Sequence, residues 1–256
     1  KVAVEGNIGS GKTTFLEGCK QFLDTTVLIE PVNIWRDIQG QNLLELMYRD
    51  PKRWSLAFQT FVQLTMMQLH LAPVQTPVKL MERSLQSARY VFVENLYRSD
   101  FIHVLSPSLH LVNETLNCSH CLQKHCSHWP SQNGHMTPLE LSILDQWFSW
   151  ITKNDGVGLD MIIYLRTNPQ VAMSRILKRK RPEEAELPFD WLCRVHNLHE
   201  QWLLGHSQFP LPPKIMVVDA NKDCTDIQHE FVQHLPGILD RSQLCHTPSA
   251  NGPSCN

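Results

Sequence analysis

The chain has 256 residues, 42% of them hydrophobic, and a formal net charge of -2, which suits one large α/β domain with a buried core. The near-neutral balance argues against a general nucleic-acid or membrane surface, which would show a basic excess, and no apolar stretch approaches the roughly 18 residues of a membrane span. Its eight cysteines are scattered or clustered without a disulfide framework, so reduced thiols and an intracellular setting are expected.

In chain order, the first element is the apolar run Val2 to Val4. It leads into Gly6-Asn7-Ile8-Gly9-Ser10-Gly11-Lys12-Thr13, a full G-x-x-x-x-G-K-[ST] phosphate loop between a predicted strand and a predicted helix. The glycines let backbone N–H groups curl around a phosphate, Lys12 can reach the outer phosphates, and Thr13 can hold a magnesium ion. The helix N-terminus adds partial positive charge. A nucleoside triphosphate is therefore the expected ligand. The helix shows Phe15, Leu16, Cys19, Phe22 and Leu23 at helical spacing.

Four further apolar runs follow: Val27 to Ile29, Val78 to Met81, Met161 to Leu165, and Ile215 to Val218. They are short, β-branched and nearly continuous, as for strands buried on both faces of a parallel sheet. Helical stretches lie between them, including one with Trp191, Leu192, Val195, Leu198, Trp202 and Leu203 in register. The expectation is a doubly wound α/β fold with a five-stranded parallel sheet.

In such sheets ligands gather at the carboxyl ends of the strands. Glu30 closes the second run and Glu82 the third. Either can accept a proton or ligate magnesium beside a triphosphate; the plainer alternative is a capping or surface glutamate. Arg175, Lys178, Arg179, Lys180 and Arg181 form a basic run meeting Glu183 and Glu184. It reads either as a solvated helix face or as a lid that clamps phosphates.

The segment at about 103–138 breaks the rhythm and reads as an insertion, and 241–256 as a disordered tail. Residues 1–240 then form one domain. Cys118, Cys121, His125, Cys126 and His128 fall in the insertion, but their spacing fits no standard zinc module well. His196, His199 and Glu200 read as helix-face residues, since there is no H-E-x-x-H. A switch GTPase would need Asp where Cys224 closes Asn221-Lys222-Asp223-Cys224, and a motor ATPase would need an apolar strand ending in Asp. A small-molecule kinase remains.

Glu5 to Thr14, Glu30-Pro31-Val32 with Trp35, Asn42 to Asp50, Gln59 to Met66, Glu82-Arg83-Ser84 through Glu94-Asn95, Tyr164 to Thr167 and Leu198-His199-Glu200 together carry a family resemblance. On these stretches the chain resembles the deoxyribonucleoside kinase family, nearest its mitochondrial thymidine kinase and insect multisubstrate branches. The resemblance implies a phosphate-loop kinase with an Arg-rich lid that uses ATP and magnesium. It implies Glu30 as general base for the sugar 5'-hydroxyl, with Arg83 at the transferring phosphate and Glu82 organising magnesium with Thr13. The loop residues through Thr14, with lid residues Arg175, Arg179 and Arg181, would hold ATP.

By the same resemblance Gln59 pairs with the base edge, Trp35 and Phe92 flank the base, and Tyr48 and Glu184 bind the 3'-hydroxyl. Val62, Met66 and Ala88 leave apolar room for a thymine methyl, so thymidine and deoxycytidine are the expected acceptors. Leu177 stands at a lid position that is usually basic in the family. A homodimer is implied, with no membrane or nucleic-acid polymer as partner. The chain opens on Lys1 at the first strand, so a presequence would lie outside it; the compartment is mitochondrial or cytoplasmic, with mitochondria favoured. Two other readings stay open here: a catalytically impaired nucleotide-binding protein, and a nucleoside monophosphate kinase.

Overall fold

The five apolar runs form one parallel sheet. The computed structural model describes residues 1–20, 25–98, 134–153, 156–185, 187–205 and 207–222, and the strands are β1 (Val2–Glu5), β2 (Thr25–Leu28), β3 (Val78–Glu82), β4 (Met161–Arg166) and β5 (Lys214–Asp219). Their spatial order is β2-β3-β1-β4-β5, with every pairing parallel. From β1 the chain crosses to the edge at β2, returns to β3 beside β1, and then passes to β4 and β5 on the other side. The loop after β1 sits at the point where strand order reverses, which is where open α/β sheets bind ligands.

Side-chain alternation along the strands divides the core into two layers. Val2 and Val4 pack with Phe15, Leu16 and Cys19 of α1 (Lys12–Cys19) beneath the sheet. Ala3, Ile162 and Tyr164 face the other way, toward a larger helical layer. The expectation that all five strands are buried on both faces holds for the centre and fails at the edges. β2 is half-buried throughout and Val217 of β5 is 44% exposed, because an edge strand has a sheet neighbour on one side only.

The helical layer begins with α2 (Val32–Arg36), α3 (Leu43–Arg49) and α4 (Pro51–Leu71). The starts of α3 and α4 are set by local chemistry: the Asn42 side chain accepts from Glu45 N–H, and Asp50 accepts from Arg53 N–H ahead of Pro51. These are N-cap interactions that satisfy otherwise orphaned donors. After β3, α5 (Leu85–Ser87) opens with a Ser84–Ser87 capping box. It runs through a π-helical stretch at Ala88–Val93 into α6 (Glu94–Arg98). Widened turns of this kind are frequent at functional sites.

Helix α7 (Pro138–Thr152) starts from a Thr137–Glu140 capping box, α8 (Pro169–Arg179) follows β4, and α9 (Phe189–Leu203) follows a 3-10 turn at Pro182–Glu184. All six apolar residues expected on the buried stripe of α9 are buried. Of the basic run, Arg175, Lys178 and Arg179 lie inside α8, which Lys180 ends in a left-handed conformation at φ 53. Phe22 and Leu23, the insertion through residue 133 with its Cys and His cluster, and the tail all lie outside the described residues. The last residues assigned to the insertion belong to the fold, since His135 N–H donates to Leu96 O, Met136 is buried and Pro138 begins α7.

Leu144 of α7 is fully buried in the larger layer. Leu144→Ala should destabilise the fold by about 2–5 kcal/mol, read as a lower midpoint in urea unfolding with an unchanged slope.

Candidate active site

The loop leaving β1 needs its glycines. Gly9 has φ 80 and a Cβ there would lie 2.5 Å from the Ala172 carbonyl oxygen; at Gly6 (φ 146) it would lie 2.7 Å from Leu165 O. Both clashes are with backbone, so α8 and β4 approach the loop closely only because side chains are missing. Asn7 pins the loop to α9, donating from Nδ2 to Leu192 O at 2.9 Å while its Oδ1 accepts from Ile8 N–H at 2.8 Å. Lys12 Nζ folds over the loop to donate to Asn7 O at 2.8 Å and Gly6 O at 3.2 Å. Burial lowers the Lys12 pKa, helped by Arg83 and opposed by Glu82, Glu30 and Glu5.

The two carboxylates named from the strand ends meet this loop. Glu30 sits two residues past the end of β2, not on the strand itself, and pairs with Arg83 Nε at 3.1 Å. Arg83 Nη1 also donates to Gly6 O at 3.0 Å, and its guanidinium lies 4.5 Å from the centre of the Phe92 ring. Burial raises the Glu30 pKa, with Arg83 opposing. Glu82 accepts from Thr13 Oγ1 at 2.8 Å, so a hydroxyl and a carboxylate stand together beside the loop. Such hard oxygen donors suit a magnesium ion.

A cavity of about 320 Å³ opens in front of this group. Ile8, Gly9, Gly11, Lys12, Thr13 and Thr14 form one end; Gly6, Asn7 and Ser10 belong to the same loop but do not line the cavity. The walls bring together Trp35, Tyr48, Gln59, Val62, Met66, Ala88, Phe92 and Glu184, named separately from the sequence. Trp35 is fixed by a hydrogen bond from Nε1 to Thr65 Oγ1 at 2.9 Å and an edge contact with Phe58. Gln59 is buried, and its Oε1 has no partner among the described residues. Burial and the nearby Glu184 raise the Tyr48 pKa, keeping its hydroxyl protonated.

Of the three lid arginines, Arg179 and Arg181 line the cavity. Arg179 grips Glu184 through two bonds of 2.8 and 2.6 Å, and Arg181 lies 3.6 Å from the same carboxylate. Arg36 holds Glu183 and so ties the turn to α2. Arg175 is not brought to the cavity; it donates to Ala220 O at 2.8 Å and Lys222 O at 3.0 Å. It lies one helical turn before Arg179 and so serves the backbone after β5. His199 is buried, not on an open helix face. Its ring stacks on Tyr164, whose hydroxyl donates to Glu200 at 2.7 Å. No metal-binding group of three or more His, Cys, Asp or Glu exists among the described residues.

Sequence reasoning missed Val32, Leu44, Met47, Phe58, Ser84 and Trp191 as wall residues. Apolar cavity walls and core carry the same periodicity, so only the edge contact between Trp191 and Tyr48 at 6.0 Å marks that indole as part of the site. It also missed Glu5, which is fully buried behind the cavity and bonded to the Ser84 hydroxyl at 2.5 Å.

The sequence profile of the deoxynucleoside kinase family matches residues 2–116 and 121–236. The chain is similar to human mitochondrial thymidine kinase 2, 40% identical over 247 residues that span 96% of this chain and 80% of that protein. Its counterpart in Macaca fascicularis is also 40% identical, over 93% of this chain and 77% of the relative. Human deoxycytidine kinase is 30% identical over 93% of this chain and 90% of its own length.

Burial raises the Glu5 pKa to about 7, against opposing Arg83. An unfolded Glu ionises near 4.5, so the folded chain holds the extra proton between these values. Its stability contribution is full below the lower value and is lost as pH rises to the upper one. Glu5→Gln, which cannot ionise, should therefore gain in melting temperature relative to the parent as pH rises from about 5 to about 8, in paired thermal scans.

Proposed function

This chain belongs to the deoxynucleoside kinase family, and we propose that its cavity takes thymidine or deoxycytidine and transfers the γ-phosphoryl group of ATP to the 5'-hydroxyl. It is a phosphotransferase whose monophosphate products serve nucleotide salvage. Neither the impaired-binding reading nor the monophosphate kinase reading is favoured by this membership. One observation carries the assignment of roles: the Glu30 carboxylate meets Arg83 at 3.1 Å beside the phosphate loop, on the wall of one cavity that also holds the Gln59 carboxamide.

Glu30 accepts the proton of the attacking 5'-hydroxyl as that oxygen bonds to the terminal phosphorus, and the bond to the bridging oxygen of the departing diphosphate breaks. A raised pKa makes Glu30 a better base, and Arg83 opposes that rise in favour of the ionised form. Arg83, Lys12, Arg179 and Arg181 balance the charge spread over the transferring oxygens, and the loop N–H groups cradle the phosphates. Thr13 and Glu82 would hold magnesium, which supplies neutralisation of phosphate charge. Gln59 offers a donor and an acceptor to the pyrimidine edge, while Trp35 and Phe92 enclose its faces. Tyr48 and Glu184 take the 3'-hydroxyl. Val62, Met66 and Ala88 present no polar group, which leaves space for a 5-methyl substituent. Arg175 contributes by fixing the backbone beside the lid, where it reaches Ala220 and Lys222.

Two finer points belong to the same reading. Leu139, Ile143, Trp147 and Trp150 leave an apolar stripe exposed on α7, and Leu64 and Leu71 do so on the neighbouring α4. A contiguous patch of this kind fits burial against a second copy, so a homodimer would form through these helices. The mitochondrial names of two of its relatives support a mitochondrial location.

Glu30→Gln should lower kcat for thymidine by about 10²- to 10⁴-fold with the melting temperature preserved; retention of most turnover would remove Glu30 as the base. In a labelled-phosphate panel, thymidine and deoxycytidine should be phosphorylated and thymidylate should not, and the reverse would favour the monophosphate kinase. Trp147→Glu should convert a sedimenting dimer to monomer; an unchanged mass would exclude this face.

A further inference from the structure

Glu5 ends β1, is fully buried, and lines no part of the cavity. Nothing in the transfer step uses it. A buried carboxylate costs stability unless it is matched, and an apolar side chain of similar volume would fill the space more cheaply. Its Oε1 accepts from the Ser84 hydroxyl at 2.5 Å, whereas Oε2 has no partner among the described residues.

The residue before Ser84 is Arg83, which stands at φ 62. Non-glycine residues enter that left-handed region at a cost, chiefly at functional sites, and stay only where their surroundings over-determine them. Three buried contacts do so here. Arg83 N–H donates to Val4 O at 2.9 Å, Glu5 holds Ser84, and Leu85 N–H donates to His70 Nε2 at 3.1 Å. Of these, only the bond from Glu5 joins the C-terminal flank of the turn to the strand that carries the phosphate loop.

Resting on the reading of Arg83 as the group that meets Glu30 in phosphoryl transfer, we propose that Glu5 is a positioning residue for that reaction. Through the Ser84 hydroxyl it locks the left-handed turn that aims the Arg83 guanidinium at Glu30 and Gly6 O. It touches no substrate; its charge also bears on Lys12, and the Arg83→Lys background separates that route from the one through Ser84 and Arg83.

The experiment compares Glu5→Met and Glu5→Gln in the parent chain and in an Arg83→Lys background, with thymidine and ATP as substrates. Glu5→Met removes the acceptor while keeping volume; it should lower kcat by about 10²-fold, with the thymidine KM within about 3-fold and no loss of melting temperature. Glu5→Gln keeps an oxygen for Ser84 and should restore kcat to within about 3-fold of the parent. In the Arg83→Lys background the same Glu5→Met change should cost less than about 3-fold, because the two residues act as one unit.

The inference fails if Glu5→Met keeps its turnover, or if it loses as much without Arg83 as with it. Should Glu5→Met not fold, Ser84→Ala deletes the same hydrogen bond from its other end, together with the cap on Ser87 N–H; its loss of kcat must be at least about 10²-fold and must fall below about 3-fold in the Arg83→Lys background, and a loss that persists there overturns the inference. Parent and Glu30→Gln enzymes run alongside separate the two levels. An active parent, an inactive Glu30→Gln and an unimpaired Glu5→Met overturn the role of Glu5 alone, whereas an inactive parent overturns the kinase reading and this inference with it.

Discussion

A buried guanidinium, held where arginine backbone is seldom found, organises this molecule's candidate site. Arg83 meets Glu30 at 3.1 Å, donates to Gly6 O at 3.0 Å and stacks over Phe92. It thereby joins the segment that follows the edge strand β2, the phosphate loop and the π-helical stretch. Its charge also bears on the burial-shifted groups around it, opposing the rise at Glu5 and Glu30 and adding to the fall at Lys12. Removing it would take the nearest counter-charge from carboxylates that are largely withdrawn from water, a larger penalty than the ion pair itself is worth.

The sheet supplies the rigidity this arrangement needs. β1 lies at the centre with β3 and β4 on either side, so the loop, the Glu82-Arg83-Ser84 turn and the start of α8 emerge from three adjacent strand ends. Close approach is possible because Gly6 and Gly9 carry no Cβ where Leu165 and Ala172 present their carbonyls. The helices then close the far wall. Asn7 fastens the loop to Leu192 in α9, and α9 carries Trp191 into the cavity wall, so the phosphate end and the nucleoside end share one mechanical support.

The helical layer shows how a pocket is made from core-like material. The π-helical turn at Ala88–Val93 brings Ala88 and Phe92 to the wall. On its other side Arg89 pairs with Glu94 at 2.7 Å and also with Asp145 of α7. The widened turn is thus clamped, through the buried Arg89 guanidinium and the partly exposed Asp145 carboxylate, to the helix whose outer face carries Trp147 and Trp150. Strain at Arg83, the π turn and the Gln59 Oε1, which has no partner among the described residues, all fall around one cavity, as local exceptions to regular structure tend to do.

Much of this was legible in the residues themselves. The phosphate loop is local, since its glycines, lysine and threonine must be contiguous to wrap a phosphate, and the five apolar runs marked five strands because hydrophobic continuity is a short-range property. The strand ends drew attention to Glu30 and Glu82, and the family pattern supplied Arg83, Gln59, Tyr48 and the lid. Tertiary structure alone decided which strands became edges, that Arg175 turns to Ala220 and not to the cavity, and that Trp191 and Leu44 are cavity wall as well as core. It also decided that Glu5 is spent on holding Ser84. Such facts depend on which distant segments meet: a buried carboxylate and a strained backbone angle acquire meaning only from partners that the linear order keeps far apart.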